Sequence, residues 1–316
     1  MAPDAGASFT ERVRQELSRA PLGSRAEARA ELAGILHLAG SLHLRGEADD
    51  PDRLTIRLTT RSGSVARRAF SLLGELYGLR PVLSVRAPGG VRERSTYGVA
   101  VEAGAAEVAQ DCHLIDAQGR LLRGSVRAMA DTRASAIAVV RGAFLAAGSV
   151  SQPGRSPHLE IRAGRRELAE ELAGLVRELV SGHAAAVAGE PPRVVAKSGE
   201  TIGEFLAALG ASTAFLDWDE QRLRRSLRSE ANRLANADAA NLRRTIAAAT
   251  SQTKAVERVV AALGWEELAE DLRDVALARI ANPSASLQEL AELCGVSKSA
   301  VHRRLHRLEE LAESLE

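Results

Sequence analysis

The sequence predicts an α+β fold: two tandem repeats of mixed helix and strand, followed by an all-α region that ends in a helix-turn-helix. Three observations carry this. First, "AGILHLAGSL" at 33–42 aligns with "RGAFLAAGSV" at 141–150, so that Gly34, Gly40 and Ser41 match Gly142, Gly148 and Ser149 at an offset of 142 − 34 = 108 residues. Second, the same order of helical and strand patterns follows each copy. Third, strand period disappears beyond about residue 213, and the C-terminus carries two short helical stretches with caps and a turn between them.

The first repeat begins with its Gly- and Ala-containing helix. A short apolar "LHL" and a turn rich in Asp and Pro lead to "RLTIRLTT", where Leu54, Ile56 and Leu58 alternate with Thr55 and Arg57. A helix follows in "GSVARRAFSLLGELYGL", then strands in "RPVLSVR" and "RSTYGVAVEA". In the second repeat, "VSQPGRSPHLEIRAG" gives a turn and a strand. "RRELAEELAGLVRELV" is a helix with Leu168, Leu172, Leu175, Val176 and Leu179 on one stripe. Strands "AAAVAGE" and "PPRVVAKSG" and a helix "GETIGEFLAALG" close the unit. The order α-β-β-α-β-β therefore occurs twice, with the closing helix clearest in the second copy. The expected division is an N-terminal segment or helix at 1–24, repeats at 25–123 and 124–212, and a helical domain at 213–316.

Between Arg222 and Arg258 the helical region holds nine basic and three acidic residues, a local charge of +6. Asn232, Asn236 and Asn241 are expected to divide it into segments, because Asn favours caps and turns over helix interiors. Beyond it lies "PSASLQELAELCGVSKSAVHRRLHRLEELAE". Ser286 and Glu289 form a capping box, Leu287, Leu290, Ala291 and Cys294 face inward, and Gly295 supplies the left-handed residue that ends the helix. Ser297 caps the second helix, whose buried stripe is Val301, Leu305, Leu308 and Ala312. At 100° per residue, Ser299, Arg303, His306 and Arg307 point away from that stripe, flanked by Lys298, His302 and Arg304. From 298 to 307 there are four bases and no acid.

That pattern, at about 286–312, is a helix-turn-helix that presents its second helix to a DNA major groove. Arg303 and Arg307 suit bidentate contacts to guanine or phosphate, and Lys298 and Ser299 lie where a helix N-terminus attracts phosphate. In the preceding stretch Arg224, Arg225, Arg233 and Arg243 are candidates for the phosphate backbone; a solvated helix face fits the same charges equally. His302 and His306 have a spacing that can hold a metal, but no third ligand accompanies them, so no metal is expected.

Composition sets outer bounds. The chain has 316 residues, 45% hydrophobic and 26% charged, with a net charge of +1, so it reads as globular and the total charge names no partner. Cys112 and Cys294 form no CxxC; a pair of reduced core thiols is expected, and no cofactor. The first residues lack the apolar core of a signal peptide, and no apolar run suits a bilayer, so a cytoplasmic location and no membrane partner are expected.

The two repeats resemble the LAGLIDADG fold of homing endonucleases, in which two αββαββα units pack their motif helices across a pseudo-twofold axis. There Gly and Ala allow close backbone approach, and an acid at the base of each helix helps hold a catalytic metal. Aligning residues 32–40 with the motif puts Ala39 at that acid, with Ala147 as its counterpart; the motif's earlier acid becomes His37 and Leu145. A methyl group is no metal ligand, so no catalytic residue and no enzyme are expected; Glu31 and Glu47 lie off the motif. Degenerate LAGLIDADG repeats followed by a helix-turn-helix resemble the WhiA family of bacterial regulators, as do "SEANRLANADAANLRRTIAAATSQ", "SKSAVHRRLHRL" and "SGETIGEFLAALGA".

The resemblance implies a DNA-binding transcriptional regulator of sporulation or cell division, nucleoid-associated. It would act at promoters on double-stranded DNA, with RNA polymerase, its principal sigma factor and a WhiB-type iron–sulfur protein. The Ala- and Arg-rich composition suits an actinobacterial source. The alternative is a protein-interaction scaffold for transcription or division machinery with secondary DNA binding. Arg53, Arg57, Arg162, Arg165 and Arg166 in or beside the repeat strands could make residual DNA contact, but solvated strand edges are the favoured reading.

Overall fold

The computed structural model describes residues 7–44, 54–87, 95–122 and 125–315, so Glu47 and Arg53 fall outside the described residues. The chain divides into two compact units, Met1–Arg225 and Ser226–Glu316. In the first, α1 (Phe9–Leu17) starts where the Ser8 hydroxyl accepts from the Glu11 amide, and it buries Phe9, Val13 and Leu17 at i, i+4 and i+8. The first repeat follows: α2 (Arg25–Ala39), β1 (Gly40–Leu44), β2 (Leu54–Thr60), α3 (Gly63–Tyr77), β3 (Val82–Arg86), β4 (Thr96–Val101) and α4 (Ala105–Asp111). The second repeats that order: α5 (Arg133–Ala147), β5 (Gly148–Val150), β6 (Leu159–Arg162), α6 (Arg166–Leu179), β7 (Ala185–Val187), β8 (Arg193–Ala196) and α7 (Gly199–Leu209).

Each repeat builds one four-stranded antiparallel sheet with the same topology, β1-β2-β4-β3 and β5-β6-β8-β7. In β2 the expected alternation holds for Ile56, Arg57 and Leu58, while Thr55, on the same face as the exposed Arg57, is also buried. The closing helix is present in both repeats, as α4 and α7.

The repeats meet where α2 crosses α5, and glycine makes the crossing possible. A β-carbon on Gly34 would lie 2.3 Å from the Val139 carbonyl oxygen and 3.0 Å from the Ala143 nitrogen. One on Gly142 would lie 2.1 Å from the Glu31 oxygen and 3.1 Å from the Ile35 nitrogen. The 108-residue offset that maps Gly34 onto Gly142 maps Glu31 onto Val139 and Ile35 onto Ala143, so the two contacts are one contact repeated by a pseudo-twofold axis.

From Ser212 to Leu263 runs a single helix, α8. This corrects the expectation that Asn232, Asn236 and Asn241 interrupt it. Each Asn costs about 0.7 kcal/mol or less against Ala, and the 52 residues contain neither Gly nor Pro. In the first unit the start of α8 is tied down by Glu16, whose carboxylate accepts from the Thr213 and Ala214 amides. The Trp218 indole N–H also donates to Gly199 O at 2.8 Å. In the second unit its end packs on α9 (Glu270–Ala281), α10 (Leu287–Cys294) and α11 (Lys298–Ser314) around a core that includes Val256, Val259, Leu272, Val275, Leu290 and Leu305.

Candidate nucleic-acid interface

The turn between α10 and α11 is set by local chemistry. The Ser286 hydroxyl accepts from the Glu289 amide, and the Glu289 carboxylate accepts from the Ser286 amide at 2.7 Å, closing the capping box. These backbone bonds hold the Glu289 carboxyl below the usual carboxylate range. Gly295 ends α10 at φ 64°, a conformation that a β-carbon would strain, and the Ser297 hydroxyl accepts from Ala300 N to start α11. Leu290, Ala291, Val301, Leu305, Leu308 and Ala312 are buried between the helices, with Leu287 and Cys294 partly buried against them.

With that stripe inward, Ser297, Lys298, Ser299, His302, Arg303, His306 and Arg307 are all exposed on one helix and its cap. Arg304 is the exception. It is half-buried and its Nε lies 3.3 Å from an Asp271 carboxylate oxygen on α9. His306 Nδ1 lies 3.3 Å from Glu310 Oε1, and its ring centroid is 6.5 Å from that of His302. Among the described residues no group of three His, Cys, Asp or Glu side chains is placed to hold a metal. Arg303 and Arg307 have no ion-pair partner among the described residues, so their guanidinium groups project into solvent.

The other four candidate arginines lie on α8. Arg224 pairs with Glu220 at 2.7 Å, and Arg225 donates to Arg155 O at 3.1 Å; both belong to the first unit. Arg233 and Arg243 lie exposed along α8 in the second.

At the motif ends, Ala39 and Ala147 are half-buried last residues of α2 and α5. His37, at the motif's earlier acid, places Nε2 2.9 Å from Cys112 O, and burial lowers its pKa; Leu145 is fully buried. Glu31 is fully buried and clamped. Arg68 Nε and Nη2 donate to its two oxygens at 2.6 and 2.8 Å, and Arg141 Nε donates to Oε2 at 2.9 Å. A divalent cation does not fit here: two methyl groups stand where carboxylates would be needed, and the neighbouring acid is already neutralised by two guanidiniums.

Three family models match the chain: a WhiA N-terminal LAGLIDADG-like domain over residues 25–115, a WhiA LAGLIDADG-like domain over 136–228, and a WhiA C-terminal helix-turn-helix domain over 231–312. The chain belongs to the WhiA family. Relatives named "Probable cell division protein WhiA" include one from Nocardia farcinica, 38% identical over 97% of this chain and 93% of that one. Another, from Streptomyces griseus, is 39% identical over 97% and 92%. The full-length WhiA crystal structure from Thermotoga maritima is 26% identical, with a TM-score of 0.57, over 98% of this chain and 99% of that one.

As a WhiA-family chain, it combines two LAGLIDADG-like repeats with a helix-turn-helix, and the curated relatives are actinobacterial. Two groups of charged residues escaped the reading of the sequence. The Arg68–Glu31–Arg141 cluster was signalled only by charges standing in apolar runs, "AVVRGAF" above all. Arg279, on α9, is 1% exposed and reaches Gln252 and Ala285; nothing in the local pattern of "DVALARIAN" sets it apart.

Proposed function

We propose that this WhiA-family chain is a sequence-specific DNA-binding transcriptional regulator of sporulation and cell division, nucleoid-associated in the cytoplasm, whose LAGLIDADG-like repeats are a non-catalytic scaffold. The observation that carries the reading is the exposed cationic face of α11, Lys298 to Arg307, held by two capped helices and a glycine turn. Ala39 and Ala147 support the non-catalytic part, since hydrolysis by a bound metal needs ligands that converge on the scissile phosphate. The partners are double-stranded promoter DNA, RNA polymerase with its principal sigma factor, and a WhiB-type iron–sulfur protein.

Arg303→Ala tests this. It should weaken binding to the target duplex by about 1–3 kcal/mol and relax specificity at one base pair, read by fluorescence anisotropy on target and single-substituted duplexes. Unchanged target affinity would remove Arg303 from the interface. A second reading, a docking platform for transcription or division proteins with DNA secondary, is favoured by β3. This edge strand exposes Val82, Leu83 and Val85 at 58%, 50% and 66%. Capture of a partner that survives both nuclease treatment and deletion of residues 283–316 would select it.

A further inference from the structure

Arg279 is a buried cation without an anion. Its Nη1 donates to Ala285 O at 2.6 Å and its Nη2 to Gln252 Oε1 at 2.9 Å, while Nε has no partner. Burial lowers its pKa, and its hydrogen-bond partners are a backbone carbonyl and a side-chain amide, with no carboxylate paired to it among the described residues. Arginine nevertheless stays protonated at neutral pH. An uncompensated charge in a low-dielectric interior is costly and sets up a positive field around it.

The field has somewhere to go. Arg279 lines a pocket of about 310 Å³ within the second unit, walled by Arg244 and Gln252 from α8, Ser286 and Gln288 at the start of α10, and Lys298 at the start of α11. Every charged residue on its wall is a cation: Arg244, Arg279 and Lys298. The first turns of α10 and α11 add the positive ends of two helix dipoles. The nearest acid on α10, Glu289, is folded back onto the Ser286 amide and does not line the pocket.

We propose that this pocket is an oxyanion site for a phosphate group, with Arg244 and Lys298 as its direct ligands and Arg279 as the positioning residue that keeps its potential positive and ties Gln252 to the start of α10. The source we assign is a backbone phosphodiester of duplex DNA, and that assignment rests on the DNA-binding reading above. A free phosphate shares the same chemistry.

The test uses the full chain with Arg244→Ala, Lys298→Ala and Arg279→Gln, Arg279→Lys serving as the charge-preserving control. Two probes are titrated: target and unrelated duplexes across a salt series, and inorganic phosphate at low salt followed by calorimetry. Arg244→Ala should weaken target and unrelated duplex by the same factor, several-fold at 0.15 M salt, and reduce the slope of log K against log salt by about 0.9. Arg279→Gln should do the same and Arg279→Lys should restore it. Should Arg279→Gln not fold, the two surface variants carry the test alone.

Saturable binding of inorganic phosphate that Arg244→Ala abolishes also supports the site, with a free anion as its source. That arm decides the pocket even if the native chain binds no duplex, an outcome that would sink the DNA-binding reading and not the pocket. A loss confined to the target duplex would mean a base contact and overturn the proposal. So would unchanged affinity and slope together with no saturable phosphate binding.

Discussion

The same substitution, Gly to Ala in a helix, should have opposite signs at two positions of the first unit. At Gly142 the new β-carbon would stand 2.1 Å from the Glu31 carbonyl oxygen, where about 3.3 Å is the ordinary limit for a carbon facing oxygen. The obstacle is backbone, so no side chain can rotate away and α2 and α5 must separate by roughly 1 Å. Overpacking of this kind costs about 1–3 kcal/mol, and an immovable neighbour puts it at the upper end. The helix propensity gained from Ala returns up to about 1 kcal/mol, leaving a net loss of about 2 kcal/mol.

Gly174 on α6 is the control. Its added β-carbon would meet only the far end of Arg177, at 4.0 Å, so Gly174→Ala should stabilise by up to about 1 kcal/mol. Urea unfolding followed at the buried Trp218, in a Trp265→Phe background, reports the first unit by itself. With a slope near 3 kcal/mol per molar urea, Gly142→Ala should lower the midpoint by about 0.7 M. A Gly142→Ala midpoint at or above that of the parent would refute the backbone contact on which the pseudo-twofold packing rests.

Three further outcomes follow from buried groups. Glu31→Ala strands Arg68 and Arg141 in the interior and should cost about 3–5 kcal/mol, whereas replacing all three with apolar residues of similar volume should recover most of it, both read by thermal melting. His37 has a folded-state pKa below its unfolded one, so the unfolded chain binds more protons between the two. Stability should be full above about pH 6.5 and fall as pH drops through that value, and His37→Gln should flatten this limb in pH-dependent urea melts. Burial pushes the Cys112 thiol up to about 12; it raises the Cys294 thiol too, but Cys294 is only partly buried and stays within reach of solvent. Iodoacetamide at neutral pH should therefore label Cys294 in the native chain and Cys112 only after unfolding, as resolved by peptide mass spectrometry.

Features written in consecutive residues were legible in the sequence. The capping box at Ser286, the turn at Gly295, the cap at Ser297 and the stripe from Val301 to Ala312 depend on neighbours within four positions, and so does the alternation in β2. The duplication was legible because it copies a spacing. What escaped depends on residues far apart in the chain. A helical projection puts Arg304 on the flank of the basic face, but it carries no information about α9, whose Asp271 draws that side chain inward. Among the basic residues of α8, Arg244 rather than Arg243 lines the pocket beside Arg279. The continuity of α8 through three Asn residues was hidden for another reason: Asn marks a helix end only when a competing conformation is on offer, and no Gly or Pro in those 52 residues supplies one.

The positions that hold the repeats together and the positions where a nuclease would keep its acids lie on the same two helices, yet they are physically separate. At Gly34 and Gly142 the facing backbone oxygens leave no room for a β-carbon, and any larger residue there disturbs both repeats at once. Ala39 and Ala147 sit five residues further on, half-buried where each helix gives way to its first strand, so their identity leaves the seam unchanged. Glu31 cannot stand in for the missing acids. It breaks the symmetry of the repeats, its counterpart being Val139, and its two oxygens are already bound by two guanidiniums with no solvent access. A metal would have to displace both arginines and leave two buried cations beside its own charge, an arrangement more costly than the one present. The acid nearest the motif is thus committed to joining α2, α3 and α5, and the first unit keeps the architecture of its fold through contacts that need no metal.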